Sequence, residues 1–153
     1  MKNIFLGIGS NLGDRQKNIA AAIAELSKLF VVEKISKIIE TPPWGDKNQN
    51  FFLNAVVEIS AEISPENLLK TLKNLEKKLG REKSRKWGPR KIDLDILFFG
   101  DEKIKTKNLE IPHKFWKKRN FVILPMAEIA PDFVPPDEKS PMKKIAEKAK
   151  KLF

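Results

Sequence analysis

Few structures accommodate the stretch Lys86-Trp87-Gly88-Pro89-Arg90-Lys91-Ile92-Asp93-Leu94-Asp95-Ile96-Leu97-Phe98-Phe99-Gly100. A basic loop with a Gly-Pro turn runs into a short apolar segment closed by glycine, the signature of a β-strand. Side chains alternate across a strand, so Asp93 and Asp95 share one face, about 7 Å apart along the chain. Ile92, Leu94, Ile96 and Phe98 are expected on the other, core-facing side. Two carboxylates on one face repel unless a cation sits between them, and both must be ionised to act as hard oxygen ligands. A simply solvated strand face would also carry two acids. Three features favour a divalent metal, most simply magnesium. The acidic face turns apolar at Leu97 and Phe99, arginines and lysines crowd its wet part, and a Gly-Pro turn leads into it, with Trp87 and Arg90 just upstream.

A chain of 153 residues is long enough to bury a core as one domain spanning 1–153. It has no cysteine, which excludes disulfides, thiolate metal sites and cysteine nucleophiles and fits a reducing cytoplasm. The apolar run at the start is too short for a signal peptide, and no later run is long enough to span a bilayer. A soluble, monomeric, cytoplasmic protein is expected. Its formal charge of +10 attracts phosphate-bearing partners. Much of that excess is lysine in solvated helices, however, and net charge alone does not identify a nucleic-acid binder.

Residues 3–9 (NIFLGIG) read as a first strand, and Ser10 to Asp14 as the turn into a helix over about 14–30 with Ile19, Ile23, Leu26 and Phe30 on one face. Gly7, Gly9 and Gly13 are read as turn residues, because their spacing misses the dinucleotide fingerprint by one and no Gly-Lys-Ser/Thr follows. A second strand is expected over Val31 to Glu40, ended by Thr41-Pro42-Pro43-Trp44-Gly45, and a third over Phe51 to Ala61. Leu53, Ala55, Val57 and Ile59 take its core face. Phe52 and Asn54 lie opposite, either as the outer face of an ordinary hairpin or as a ring and an amide suited to a flat heterocycle.

Ser64-Pro65-Glu66 is a capped helix start, Leu68, Leu72, Leu75 and Leu79 its buried stripe, and Gly80 its end. The cations from Arg81 to Lys91 form either a solvated patch or a polyphosphate clamp. Beyond the acidic strand, a weak strand signal lies near Lys103 to Lys105. His113, the one histidine, is either structural or a phosphate contact that donates from both ring nitrogens when charged. Residues 121–130 fit a buried helix or strand, with Pro125 interrupting either, and Ser140-Pro141 begins a closing amphipathic helix. The order strand, helix, strand, strand, helix, strand predicts an α+β fold, a ferredoxin-like βαββαβ sandwich with additional C-terminal helices.

The segments GIGSNLGDR, TPPWG with FFLNAVVEI, LEKKLGR, KWGPRKIDLDILFFG and IPHKFWKKRNFVILPMAEIAP together resemble the 6-hydroxymethyl-7,8-dihydropterin pyrophosphokinase family of folate biosynthesis. The resemblance implies transfer of pyrophosphate from ATP to the pterin's hydroxymethyl group, release of AMP and use of two magnesium ions. It implies that Asp93 and Asp95 hold the metals. Arg81 and Arg90 would join them in catalysis, and Glu76, Trp87, Ile96, His113 and Arg119 would contact ATP. The pterin would sit among Thr41, Pro42, Trp44, Phe52, Asn54 and Phe121, between the two phenylalanine rings. The partners are then small molecules, with no nucleic acid or membrane involved. In this chain the loop between Gly80 and Trp87 is one residue shorter than in some relatives, which affects the matches of Lys83 and Arg85. Lys73, Asn108, Glu110 and Lys114 also replace other residue types. Two rival functions stay open on the residues alone, a basic RNA-binding module on a ferredoxin-like sheet and a simple kinase of a small alcohol.

Overall fold

The computed structural model describes residues 2–43, 48–80 and 90–152, with side chains described for 3–149 of these. Seven strands and four α-helices run in the order β1 (Lys2–Ser10), α1 (Arg15–Leu29), β2 (Val31–Ile35), β3 (Ile39–Thr41), β4 (Phe52–Ala61), α2 (Pro65–Lys78), β5 (Asp93–Phe99), β6 (Ile104–Lys105), β7 (Glu110–Ile111), α3 (Asn120–Ile129) and α4 (Met142–Leu152), with a 3₁₀ turn at Trp116–Lys118 before α3. The main sheet has the order β2-β4-β1-β5, with β3 also on β4, and every pairing in it is antiparallel. The fold is α+β.

Local chemistry accounts for the boundaries. Asp14 caps α1 by accepting from the Lys17 N–H, and Ser64 caps α2 by accepting from the Asn67 N–H ahead of Pro65. The segment 31–40, expected as one strand, is two. Between Ile35, opposite Val57, and Ile39, opposite Asn54, it holds one more residue than β4 does. Ser36 patches the break: its N–H donates to the Val56 carbonyl and its Oγ accepts from the Val56 N–H, each at 2.9 Å. Residues 120–129 are helical although Pro125 lies inside. The helix forgoes one internal hydrogen bond there but buries Val122, Ile123, Met126 and Ile129.

Two apolar cores sandwich the sheet. Ile4, Leu6, Ile8, Leu53, Val57, Ile59, Leu94 and Ile96 pack with α1 and α2 on one face. On the other, Phe5, Val56, Leu97 and Phe98 meet Trp116, α3 and α4. Strict alternation, which assigned Phe98 to the first core, fails at Leu97. The register slips between Phe5 and Leu6, which face Phe98 and Ile96, and leaves Leu97 as the extra residue of a bulge. Leu97 and Phe98 therefore enter the second core together and Phe99 returns to the first. Phe98 there meets Phe5, Trp116 and Phe133 with ring centres 6.3, 5.2 and 5.1 Å away. Among the described residues, no helix is long and apolar enough to cross a membrane.

Candidate functional site

Helices α3 and α4 cover only part of the second face, and a cleft of about 280 Å³ opens beside them. Its floor is three strands deep. In register, Asp93 lies beside Gly9 and Gly9 beside Asn54, while Asp95 lies beside Gly7 and Gly7 beside Val56. Gly7 and Gly9, which fall inside the strand expected over 3–9 but also read as turn residues, are thus strand residues, and of these three glycines only Gly13 has the positive φ of a turn. What they contribute is missing volume: a Cβ on Gly9 would come within 3.1 Å of Asn54 Oδ1 and 3.5 Å of the Phe52 ring.

On the β4 side stand Thr41, Pro42, Phe52 and Asn54. The Asn54 amide donates to Thr41 Oγ1 at 2.7 Å, which orients the side chain, buried to 8% exposure, with its oxygen toward Gly9. Arg15, which was not singled out, ties this wall down: one guanidinium nitrogen reaches Glu40 Oε2 at 2.7 Å and the Phe51 carbonyl at 2.9 Å. On the β5 side stand Asp93, Asp95, Arg90, His113, Arg119 and Phe121. Arg119 is buried to 7% exposure, with its guanidinium 5.5 Å from the Phe115 ring centre and 5.3 Å from that of Phe121. Burial lowers its pKa, against the pull of Asp95 and Asp93. An arginine is basic enough to keep its charge there.

His113 corrects one expectation. Its Nδ1 accepts from the Phe115 N–H at 3.1 Å, so the neutral ring carries its proton on Nε2. Burial, then the nearby Arg119 charge, pushes its pKa down to about 4. At neutral pH it therefore offers one donor and no charge, in place of two donors on a cation. Nε2 lies 4.0 Å from Asp95 Oδ2, too long for a hydrogen bond, and with the ring neutral this is no ion pair.

Thr41, Pro42, Phe52, Asn54, Arg90, Asp93, Asp95, His113, Arg119 and Phe121 are thus brought to one cleft. Two expected residues lie behind it. Glu76 is buried in α2, where Oε2 accepts from the Leu94 N–H at 2.8 Å on the edge of β5 away from β1. It braces the peptide between the two aspartates. The Ile96 side chain belongs to the first core, so any ligand contact by Ile96 is through its main chain. Trp44, Arg81, Lys83, Arg85 and Trp87 lie outside the described residues.

Asn11 was missed. Buried at 1% exposure, it exchanges hydrogen bonds with the Arg90 main chain: Oδ1 accepts from the Arg90 N–H at 2.7 Å, and the Asn11 N–H donates to the Arg90 carbonyl at 2.9 Å. Its amide also donates to Gln49 Oε1 at 2.8 Å and to the Asn50 carbonyl at 3.1 Å. One side chain so joins the chain entering β4 to the chain entering β5. The available signal was the Ser-Asn pair at the end of a strand, which marks a side chain bonding to backbone without indicating which.

The cleft offers two carboxylates as hard oxygen donors, a buried guanidinium, an imidazole donor and, opposite them, a neutral wall of ring, amide and hydroxyl. That combination suits an anion carried with a metal ion beside a flat polar ring. Comparison with known proteins identifies the family. The family model described as 7,8-dihydro-6-hydroxymethylpterin-pyrophosphokinase matches residues 5–131. The 2-amino-4-hydroxy-6-hydroxymethyldihydropteridine pyrophosphokinase of Aquifex aeolicus is 44% identical over 145 residues, 95% of this chain and 91% of the relative. That of Bacillus subtilis is 43% identical over 132 residues, covering 84% and 79%. Among solved structures, an HPPK-DHPS in complex with substrates superimposes with a TM-score of 0.80 at 15% identity, over 99% of this chain and 44% of that one. The Plasmodium falciparum HPPK-DHPS does so with 0.75, also at 15% identity, over 97% and 44%. This chain thus spans less than half of those structures, and at such identity they speak for the fold alone. With its cleft, its family match and its curated relatives in agreement, the chain belongs to the 7,8-dihydro-6-hydroxymethylpterin-pyrophosphokinase family, and its activity is ATP-dependent pyrophosphate transfer in folate biosynthesis.

Proposed function

We propose that the cleft performs this transfer with the pterin against its neutral wall and the ATP triphosphate against its charged one. The observation that carries the proposal is the row Asn54, Gly9, Asp93 across three strands, which sets an oriented amide and a carboxylate at the two ends of a gap without side chains. Phe52 and Phe121 would stack on the pterin, with Asn54, Thr41, Pro42 and Trp44 along its edge. Arg81, Arg90, Arg119, His113 and Trp87 would engage the phosphates, with Ile96 contributing main-chain groups and Glu76 holding β5 in place.

Asp93 and Asp95 suit magnesium, which is commonly held by one or two carboxylates with substrate phosphates and water completing its shell. We place two such ions there; when bound, they would neutralise phosphate charge and make the substrate hydroxyl more acidic. In the reaction the hydroxymethyl oxygen bonds to the β-phosphorus and gives up its proton to solvent, the bond from that phosphorus to the oxygen bridging to the α-phosphate breaks, and AMP leaves with that oxygen. Little covalent work falls to the chain, so positioning and charge complementarity carry the rate. Arg119 and the Nε2–H of His113 would meet charge on the transferred group, and Asn11 would hold Arg90 in register with the pterin wall.

The strand order and the antiparallel pairing support a ferredoxin-like βαββαβ sandwich with α3 and α4 as additional C-terminal helices, and we read 1–153 as one domain. A monomer acting in the cytoplasm on small molecules fits a biosynthetic enzyme of this kind. The RNA-binding module and the simple kinase receive no support from the relatives, and part of the sheet face an RNA platform would use is covered by α3 and α4. Incubation with magnesium, ATP and 6-hydroxymethyl-7,8-dihydropterin is expected to give AMP and the pterin diphosphate in equal amounts. ADP as the nucleotide product would indicate a simple kinase and overturn the proposal.

A further inference from the structure

Phe115 does not line the cleft, yet two side chains that do, Arg119 and His113, gather on it together with Lys114 from outside. The Phe115 ring lies 5.5 Å from the Arg119 guanidinium carbon, 5.3 Å from the Lys114 ammonium and 6.1 Å, centre to centre, from the His113 ring. Its own N–H holds His113 Nδ1, which fixes the proton on Nε2. We infer that Phe115 is a positioning residue for the triphosphate, holding Arg119 and His113 in the orientation that receives the phosphates. The inference rests on the proposed phosphate role of Arg119.

An aromatic face adds to the positioning of a buried cation in a way a carboxylate does not. Asp95 and Asp93 act on the Arg119 charge from the cleft, and a carboxylate holds a guanidinium by accepting N–H donors, the same donors a phosphate needs. An aromatic face attracts the charge through its quadrupole and accepts no such bond. Arg119 lies between two such faces, and they differ in standing. Phe121 borders the cleft, where it is proposed to stack on the pterin, whereas Phe115 stands behind it. Phe115 is therefore the support that does not change with pterin occupancy. Leucine fills a similar space without the quadrupole, so Phe115→Leu separates packing from ring electrostatics. Tyrosine restores the ring.

The test measures steady-state kinetics of Phe115→Leu, Phe115→Tyr and Arg119→Ala, with pterin Kd and thermal unfolding measured for each. Phe115→Leu is expected to raise the KM for ATP about five- to thirtyfold, as loss of a desolvated cation–π contact would. Pterin Kd should stay within about twofold and Phe115→Tyr should restore the parent KM, on the same reasoning. An unchanged ATP KM in Phe115→Leu beside a large rise in Arg119→Ala overturns the inference alone. Parent-like ATP kinetics in Arg119→Ala would instead remove the reading beneath it. Should Leu and Tyr variants lose stability and both substrates equally, the ring is only packing and the inference falls; Phe115→Met supplies a second ring-free variant if Leu does not fold.

Discussion

The second face of the sheet is built in two halves from the same three strands, and a step of two residues along each changes one into the other. In the covered half, β1, β4 and β5 present Phe5, Val56 and Leu97 to α3 and α4. In the open half they present Gly7 and Gly9, Asn54, and Asp95 and Asp93. The β1–β4 pairing runs through both without a shift of register. What differs is side-chain volume and polarity: rings and branched chains where the protein needs cohesion, glycine flanked by polar tips where it needs room. The bulge at Leu97 marks the change on β5, doubling the apolar residues sent into the covered half just after the second aspartate.

If the halves are divided in this way, substitutions in each should fail differently. Asp95→Ala should lower turnover by a factor on the order of 10³ or more, as loss of a centre for charge neutralisation does. Pterin binding and the unfolding temperature should change little, and equilibrium binding beside single-turnover kinetics checks both. In the covered half, Phe98→Ala should cost about 3–5 kcal/mol of stability, read by denaturant unfolding. Substrate affinities of its folded fraction should stay near the parent's.

His113 stands at the border and gives a pH signature. Its folded-state pKa of about 4 lies below the ordinary 6.5, so between those values the unfolded chain takes up a proton that the folded one refuses. The stabilisation is present above the ordinary value and lost as pH falls toward the folded one, by roughly 3 kcal/mol in total. Urea titrations across that window should show the parent losing more stability than His113→Gln, and parallel curves would refute the assignment.

The smallest expected effect separates the two glycines. Gly9→Ala forces Asn54 to give way, since the new Cβ falls 3.1 Å from Oδ1, and disturbs the 2.7 Å bond to Thr41. A rise in pterin KM on the order of tenfold follows from such overpacking. At Gly7 the nearest atom would be 3.5 Å away, on a Leu97 methyl group, an ordinary contact, so Gly7→Ala should be nearly silent.

The acid pair was legible because it depends on a period of two along one strand, and that period holds from Ile92 to Ile96. It broke where a partner strand intervened: the bulge at Leu97 arises in the pairing with β1, which local spacing does not record. Thr41, Arg119 and Phe121 were placed through family resemblance, whereas Phe52, Asn54 and His113 were also singled out by residue type with a structural alternative left open; all six border one cleft. Gly7 and Gly9 were misread because glycine is the commonest turn residue, and its use as an empty place on a sheet shows only once its neighbours are known. Asn11 acts on Arg90 across 79 positions of the chain, a distance at which sequence pattern is silent. The helix over 120–129 was obscured by Pro125, whose lost hydrogen bond is outweighed by burial that only α4 and the sheet supply.

Amide chemical-shift mapping with the pterin and a non-hydrolysable ATP analogue in the presence of magnesium tests the division of the sheet most directly. The account predicts the largest shifts at Gly7, Gly9, Asn54, Asp93 and Asp95, with Phe5 and Phe98 two or three residues away nearly unmoved. Shifts centred on the covered half, or spread evenly over both, would contradict it.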